Sequence, residues 1–205
     1  DCGVVILANG PRIPNLLERI PEIDTLYNDS DCCVLGEWKS TIGKMKNCNN
    51  SVYIGGGTGI ADGIILKSEL IDFNKRDDSK RSWELITKKG QSVESYLSPK
   101  GMIEQWNSSH NDKVETLNHL SQKENAKPIF EKALEAFSFL INDRIRFFIS
   151  NNFEIEKIII GQRLGTFLAN SQLKSIFEAE TTIPVKYSTD RRTAALGAAW
   201  KKVCS

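Results

Sequence analysis

Residues 51–73 read SVYIGGGTGIADGIILKSELIDF, and this stretch decides the fold. A short apolar run, Val52-Tyr53-Ile54, leads into Gly55-Gly56-Gly57-Thr58-Gly59. After Ile60-Ala61-Asp62-Gly63 comes a second apolar run, Ile64-Ile65-Leu66. Runs of β-branched and aromatic residues bounded by glycine read as strands, so the glycines form a turn between two of them. Glycine lets backbone N–H groups converge on a ligand. Convergent N–H groups make an anion cradle, and phosphate is the usual anion. The same residues also suit a tight hairpin that holds no ligand.

Two familiar glycine loops fit this stretch poorly. A P-loop needs Lys and then Ser or Thr after its last glycine, followed by a helix. Here Ile60-Ala61-Asp62 follows. A dinucleotide fingerprint needs G-x-G-x-x-G opening a helix. Counted from Gly57, that spacing puts Asp62 where the third glycine belongs, and a strand follows. A phosphate-binding β-hairpin remains.

The chain has 205 residues, enough for one large domain or two small ones. Hydrophobic residues make up 40% and charged residues 26%, which is ordinary for a globular protein. The net charge of +1 provides no global field for nucleic acid or a membrane surface. No apolar run approaches the ~18 residues of a membrane helix. Asp1-Cys2-Gly3 lacks the basic start of a signal peptide. The five cysteines, Cys2, Cys32, Cys33, Cys48 and Cys204, are odd in number and scattered. They read as free thiols in a reducing cytoplasm rather than as a disulfide framework. No C-x-x-C pair exists, and neither His110 nor His119 has zinc-site spacing to a cysteine.

Outward from the hairpin, strands are expected at 4–8 and 24–27, and a helix from Cys32 to about Met45 with Asp31 as its N-cap. Residues 74–81 read as a polar surface loop. Residues 92–106 read as helical, broken near Ser98-Pro99. Residues 107–127 are polar, with Val114, Leu117 and Leu120 as their apolar positions. The clearest helix spans 128–148, with Pro128 at its first position and Phe130, Leu134, Phe137, Ile145 and Phe148 at helical spacing. A strand at 155–160, a helix at 164–177, a strand at 183–187 and a final helix at 191–203 capped by Asp190 complete an α/β layer architecture.

Two more segments carry chemistry. Asn28-Asp29 ends a strand-like run just before a helix. In α/β sheets ligands bind beyond the carboxyl ends of strands, and a carboxylate there can take a proton from a substrate hydroxyl. Asp29 and Asp31 also suit simple helix capping. Gly161-Gln162-Arg163-Leu164-Gly165 sits at a strand-to-helix junction, suited to a nucleotide's base and ribose or to an ordinary turn.

In order, these segments resemble the ROK family of sugar kinases and repressors, built on the actin-like (ribonuclease-H-like) ATPase fold. Pro14-Asn15-Leu16 is similar to that family's PNLPGW segment, and residues 28–37, NDSDCCVLGE, to its NDANAAALGE motif. Gly57-Thr58-Gly59-Ile60 matches its GTGI loop. Ile158-Ile159-Ile160-Gly161 resembles its V-L-G-G adenosine segment, and Gly197-Ala198-Ala199 the GAA of its last helix. The resemblance implies an α/β mixed sheet flanked by helices. It implies ATP and Mg²⁺ as cofactors, with Gly57, Thr58, Gly59, Gly161, Gln162 and Arg163 on the nucleotide. It implies Asp29 as catalytic base, with Asn28, Glu84 and Glu94 on the sugar.

The chain also departs from that family. Its zinc ligands, a histidine and three cysteines, have no counterparts, and Thr87 stands about where the histidine belongs, so no metal held by protein residues is expected. Ala61-Asp62 replaces two glycines, and Asp62 is expected to bring a carboxylate close to phosphates unless Mg²⁺ or a lysine offsets it. The family's opening D-x-G-G-T loop is not found, since Val4-Val5 follows Asp1-Cys2-Gly3. Residues 1–46 then read as the end of an N-terminal lobe with a connecting helix, and 47–205 as the C-terminal lobe. The expected partners are a sugar, a missing N-terminal lobe or chain, and a second copy in a homodimer, with neither nucleic acid nor membrane. The expected function is phosphoryl transfer from ATP to a hexose or amino-hexose hydroxyl in the cytoplasm. The alternative is a non-catalytic sugar sensor or scaffold on the same fold.

Overall fold

The computed structural model describes residues 16–20, 22 and 25–204. In chain order it contains α1 (Leu16–Arg19), α2 (Asp29–Lys39), β1 (Ser51–Gly56), β2 (Ile60–Leu66), β3 (Glu69–Leu70), α3 (Val93–Leu97), α4 (Pro99–Ser109), α5 (Leu117–Ser121), α6 (Lys127–Ser150), β4 (Lys157–Gly161), α7 (Gln162–Ala169), α8 (Leu173–Ala179), β5 (Val185–Tyr187) and α9 (Thr193–Cys204). The strand expected at 4–8 lies outside the described residues.

The strands form one sheet in the order β3-β2-β1-β4-β5. β1 and β2 are antiparallel, with Ser51 opposite Ile65 and Gly56 opposite Ile60. β1 runs parallel to β4, and β4 parallel to β5. The sheet is therefore mixed, with helices on both faces. Every residue of β1 and β2 is buried, so neither strand alternates apolar with polar residues. Val52, Ile54, Ile60, Ile64, Ile158 and Ile160 face the larger core, which holds Phe137, Leu140 and Phe148 of α6. Tyr53, Ile65 and Ile159 face a smaller core with Cys33 and Val34 of α2 and Met45.

Local chemistry accounts for most boundaries. Ser98 ends α3 and caps α4, its Oγ accepting the Gly101 N–H at 3.0 Å, so the expected break at Ser98-Pro99 is present. α6 runs 24 residues with Pro128 in its first turn, where a missing N–H does no harm. Val114, Leu117 and Leu120 are all buried under the polar stretch that carries them.

Five expectations need correction. The cap of α2 is Asn28, whose Oδ1 accepts the Asp31 N–H at 3.2 Å, so Asp31 lies inside the first turn. α2 stops at Lys39 instead of reaching Met45. The buried Glu37 turns the chain back, its side chain accepting the Lys44 N–H and its carbonyl the Met45 N–H, both at 2.9 Å. Residues 25–28 pair with no strand among the described residues. The helix expected over 164–177 is two helices, α7 and α8, parted at Asn170-Ser171, where Asn170 and Ser171 donate back to Phe167 and Leu168. Residues 74–81 are not wholly surface, because Ser79 and Arg81 are buried.

α2 and α9 cross in close contact through Gly36 and Gly197. A Cβ on Gly36 would lie 1.7 Å from the Thr193 carbonyl oxygen, and one on Gly197 would lie 1.8 Å from that of Cys32. Backbone meets backbone here, so no side chain can yield. Gly197→Val is expected to cost about 1–3 kcal/mol, the usual penalty for overpacking. A lower urea midpoint at unchanged slope would register it, whereas an unchanged midpoint would show that the crossing adapts.

Candidate functional site

The β1–β2 hairpin closes on Gly57-Thr58-Gly59. The Gly57 N–H donates to the Gly59 carbonyl at 2.9 Å, which turns the chain within three residues. Thr58 stands exposed at the tip. Among the described residues no acceptor meets the N–H groups of Thr58 and Gly59, so both remain open to a ligand. These are the groups an anion cradle uses.

The junction between β4 and α7 leans onto this hairpin. Arg163 Nη2 donates to Thr58 Oγ1 at 3.2 Å. Gln162 sits in the left-handed region at φ 58°, an uncommon place for a residue with a side chain. Its Nε2 lies 3.3 Å from Cys33 Sγ on α2, and its Oε1 would be 3.0 Å from a Cβ on Gly57. Gln162 thus joins the helix carrying Asp29 to the glycine loop. Burial pushes the Cys33 thiol up, bonds to Gln162 and Tyr53 oppose that, and the negative charge of Asp29 adds to the rise.

Asn28 and Asp29 begin α2. Asn28 Oδ1 is committed to the helix, while among the described residues the exposed Asp29 accepts only its neighbour's N–H, from Ser30 to Oδ1 at 2.9 Å. Asp31, two residues on, lies 3.2 Å from Lys201 Nζ on α9 and 3.7 Å from Arg81 Nη2. Arg81 in turn gives its backbone N–H to Glu84 Oε2 at 2.9 Å. The first turn of α2 is thereby tied to the segment that carries Glu84.

Glu94 stands against the hairpin itself. Its Oε2 accepts the Ile60 N–H at 2.8 Å. A Cβ on Gly59 would lie only 2.4 Å from that oxygen, so glycine there is what admits the carboxylate. Beside Thr58 opens a cavity of about 390 Å³, lined by Glu94, Ser95, Ser98, Lys100 and Gln105 among others. The buried Gln105 Oε1 has no partner among the described residues.

The expectation for Asp62 is overturned. Its carboxylate does not approach the loop tip but lies buried on the α6 side of β2, 1% exposed. Arg144 Nη2 of α6 holds Oδ2 at 2.6 Å, and Ser82 gives Oδ1 its N–H at 3.2 Å and its hydroxyl at 3.0 Å. The offsetting charge is an arginine, neither Mg²⁺ nor a lysine. One arginine inside a helix with an apolar stripe, and one aspartate inside a buried strand, were the available signal, because buried charges need partners.

The sequence matches no protein-family model and no curated protein. Solved structures do match. A ROK family glucokinase from Streptomyces griseus, in complex with glucose and AMPPNP, superposes at TM-score 0.63 and 15% identity, over 91% of this chain and 70% of that one. A ROK hexokinase from Thermus thermophilus superposes at TM-score 0.59 and 14% identity, over 87% of this chain and 65% of that one. A ROK family transcriptional regulator homologous to the E. coli MLC protein superposes at 0.53 and 14% identity, over 92% of this chain and 54% of that one. The chain has the fold of the ROK sugar kinases. It spans about two thirds of the length of those two kinases and about half of the regulator.

In this ROK fold the Thr87 region is closed by hydrogen bonds. Thr87 Oγ1 donates to the Gln91 carbonyl at 2.9 Å, and Ile86 bridges Ser92. Among the described residues no group of three His, Cys, Asp or Glu could hold a metal ion, and no helix is long and apolar enough to cross a membrane.

Proposed function

We propose that this chain belongs to a sugar kinase that transfers the γ-phosphoryl group of ATP to a hexose or amino-hexose hydroxyl. One observation carries the reading. The Asp29 end of α2, the β4–α7 junction and the glycine hairpin meet at one end of the sheet, linked through Cys33, Gln162, Arg163 and Thr58. The fold supports it, and the Streptomyces glucokinase with glucose and AMPPNP supplies the ligand classes.

In this reading Thr58 and Gly59 N–H groups and the Arg163 guanidinium receive the phosphates, and Gly57 lets them approach. Gly161 and Gln162, at the β4–α7 junction, take the base and ribose. Asp29 takes the proton of the attacking hydroxyl through Oδ2, which no side chain or backbone group meets among the described residues. Asn28 Nδ2 and the carboxylate of Glu84 bind neighbouring hydroxyls, joined by Glu94 once its side chain leaves the Ile60 N–H. Mg²⁺, when bound, neutralises charge on the transferred group. With no three-residue donor cluster among the described residues, the phosphates themselves would hold it, as magnesium sites commonly arrange. An N-terminal lobe or a second chain closes the other side of the cleft and excludes water.

A second reading keeps the sugar site without transfer. The regulator's likeness and the carboxylate of Glu94 lying on the loop favour it. ADP release decides between the two, measured with hexoses and amino-hexoses on the longest gene product that contains these residues. The kinase reading expects sugar-dependent release with at least one acceptor. Sugar or ATP binding without release from any acceptor would favour the sensor.

A further inference from the structure

The phosphate hairpin already holds an anion of its own. Glu94 Oε2 takes the Ile60 N–H at 2.8 Å, and the carboxylate lies flush against Gly59. Glu94 is half-buried, so solvent only partly screens its charge. A phosphate on the open N–H groups of Thr58 and Gly59 would sit beside this carboxylate, and like charges at such range repel. We propose that Glu94 is an internal competitor for the hairpin, so that a phosphate-bearing ligand binds fully only when the Glu94 side chain swings off Ile60. This rests on the reading of the hairpin as a phosphate site.

The surroundings give the displaced side chain somewhere to go. Glu94 lines the cavity beside Thr58, and Lys100 lines it too. Among the described residues Lys100 Nζ is engaged only with exposed Glu104, at 3.5 Å. Surface pairs of this kind are weak and exchange readily. The carboxylate can therefore leave the N–H dipole of the hairpin for the ammonium of Lys100. On the hairpin side Arg163 stays on Thr58 and remains available to the incoming anion. The consequence is a site whose resting state is closed by charge rather than by a moving lid. Its affinity for anions is set by how firmly one glutamate holds one N–H group.

The test is titration of the chain with inorganic tripolyphosphate, followed by the backbone amide resonances of Thr58, Gly59 and Ile60. Glu94→Gln keeps an oxygen for the Ile60 N–H and removes only the charge, so its spectrum should stay dispersed and native. It is expected to bind tripolyphosphate about tenfold more tightly than the unaltered chain, from loss of one near like charge. Glu94→Ala, which removes the competitor altogether, should bind at least as tightly as Glu94→Gln. In the unaltered chain the Ile60 resonance should move together with those of Thr58 and Gly59 as the carboxylate departs. Equal or weaker binding by both variants, with Thr58 and Gly59 still responding, would overturn the competitor and leave the phosphate hairpin standing. No response at Thr58 or Gly59 in any of the three proteins would overturn the hairpin reading, and the competitor with it.

Discussion

Arg144→Met is expected to lower stability by about 3–5 kcal/mol, because it strands a buried carboxylate without its partner. The guanidinium is wholly buried and bonds Asp62 Oδ2 at 2.6 Å, the Lys80 carbonyl at 2.7 Å and Asp143 Oδ2 at 3.0 Å. Ser79 Oγ lies 3.4 Å away and the Phe73 ring 5.3 Å. Among the described residues the Asp62 carboxylate keeps only Ser82 once the arginine is gone. For a chain of this size each kcal/mol is worth roughly 2–4 °C, so the melting temperature should fall by roughly 6–20 °C. Pairing Arg144→Met with Asp62→Leu should return most of that loss, since an apolar replacement of both partners removes the stranded charge. A single variant that melts like the original chain would mean that water or another cation reaches Asp62. The segment at 79–84 should loosen along with the pair, because Ser79, Lys80 and Ser82 all bond to it. Faster hydrogen exchange there would report this.

Asp29→Asn should lower turnover about 10²–10⁴-fold in a protein that shows sugar-dependent ADP release, the usual contribution of a positioned general base. Among the described residues the exposed side chain bonds only the neighbouring Ser30 N–H. Asn keeps that acceptor and stays the same size. The helix end loses one favourable charge, worth about 0.3–1 kcal/mol. Sugar affinity should therefore be nearly unchanged while kcat collapses. Parallel losses in sugar affinity and kcat would instead place Asp29 among the binding groups. Unchanged turnover would remove it from the chemistry altogether.

The hairpin, the long helix with its apolar stripe and the break at Ser98-Pro99 were legible because each rests on chemistry within a few residues. Glycines between two β-branched runs can do little but turn. Proline after a serine stops one helix and starts the next. Boundaries were missed where a distant group intervened, as Glu37 does when it folds residues 44 and 45 back and ends α2 early.

The sequence by itself determined the two-strand turn, the order of strands and helices that makes an α/β layer, and the residue types available for phosphate and hydroxyl chemistry. Only the tertiary structure decided what those residues touch. Asp62 meets Arg144 across 82 positions and so belongs to the core. Glu94 reaches Ile60 across 34 positions and so stands on the glycine loop. Gln162 and Arg163 find Cys33 and Thr58 across 129 and 105 positions. The physical reason is the same in each case. Secondary structure follows from short-range sterics and hydrogen bonds, whereas a charge is placed by whichever partner the packed sheet brings within reach.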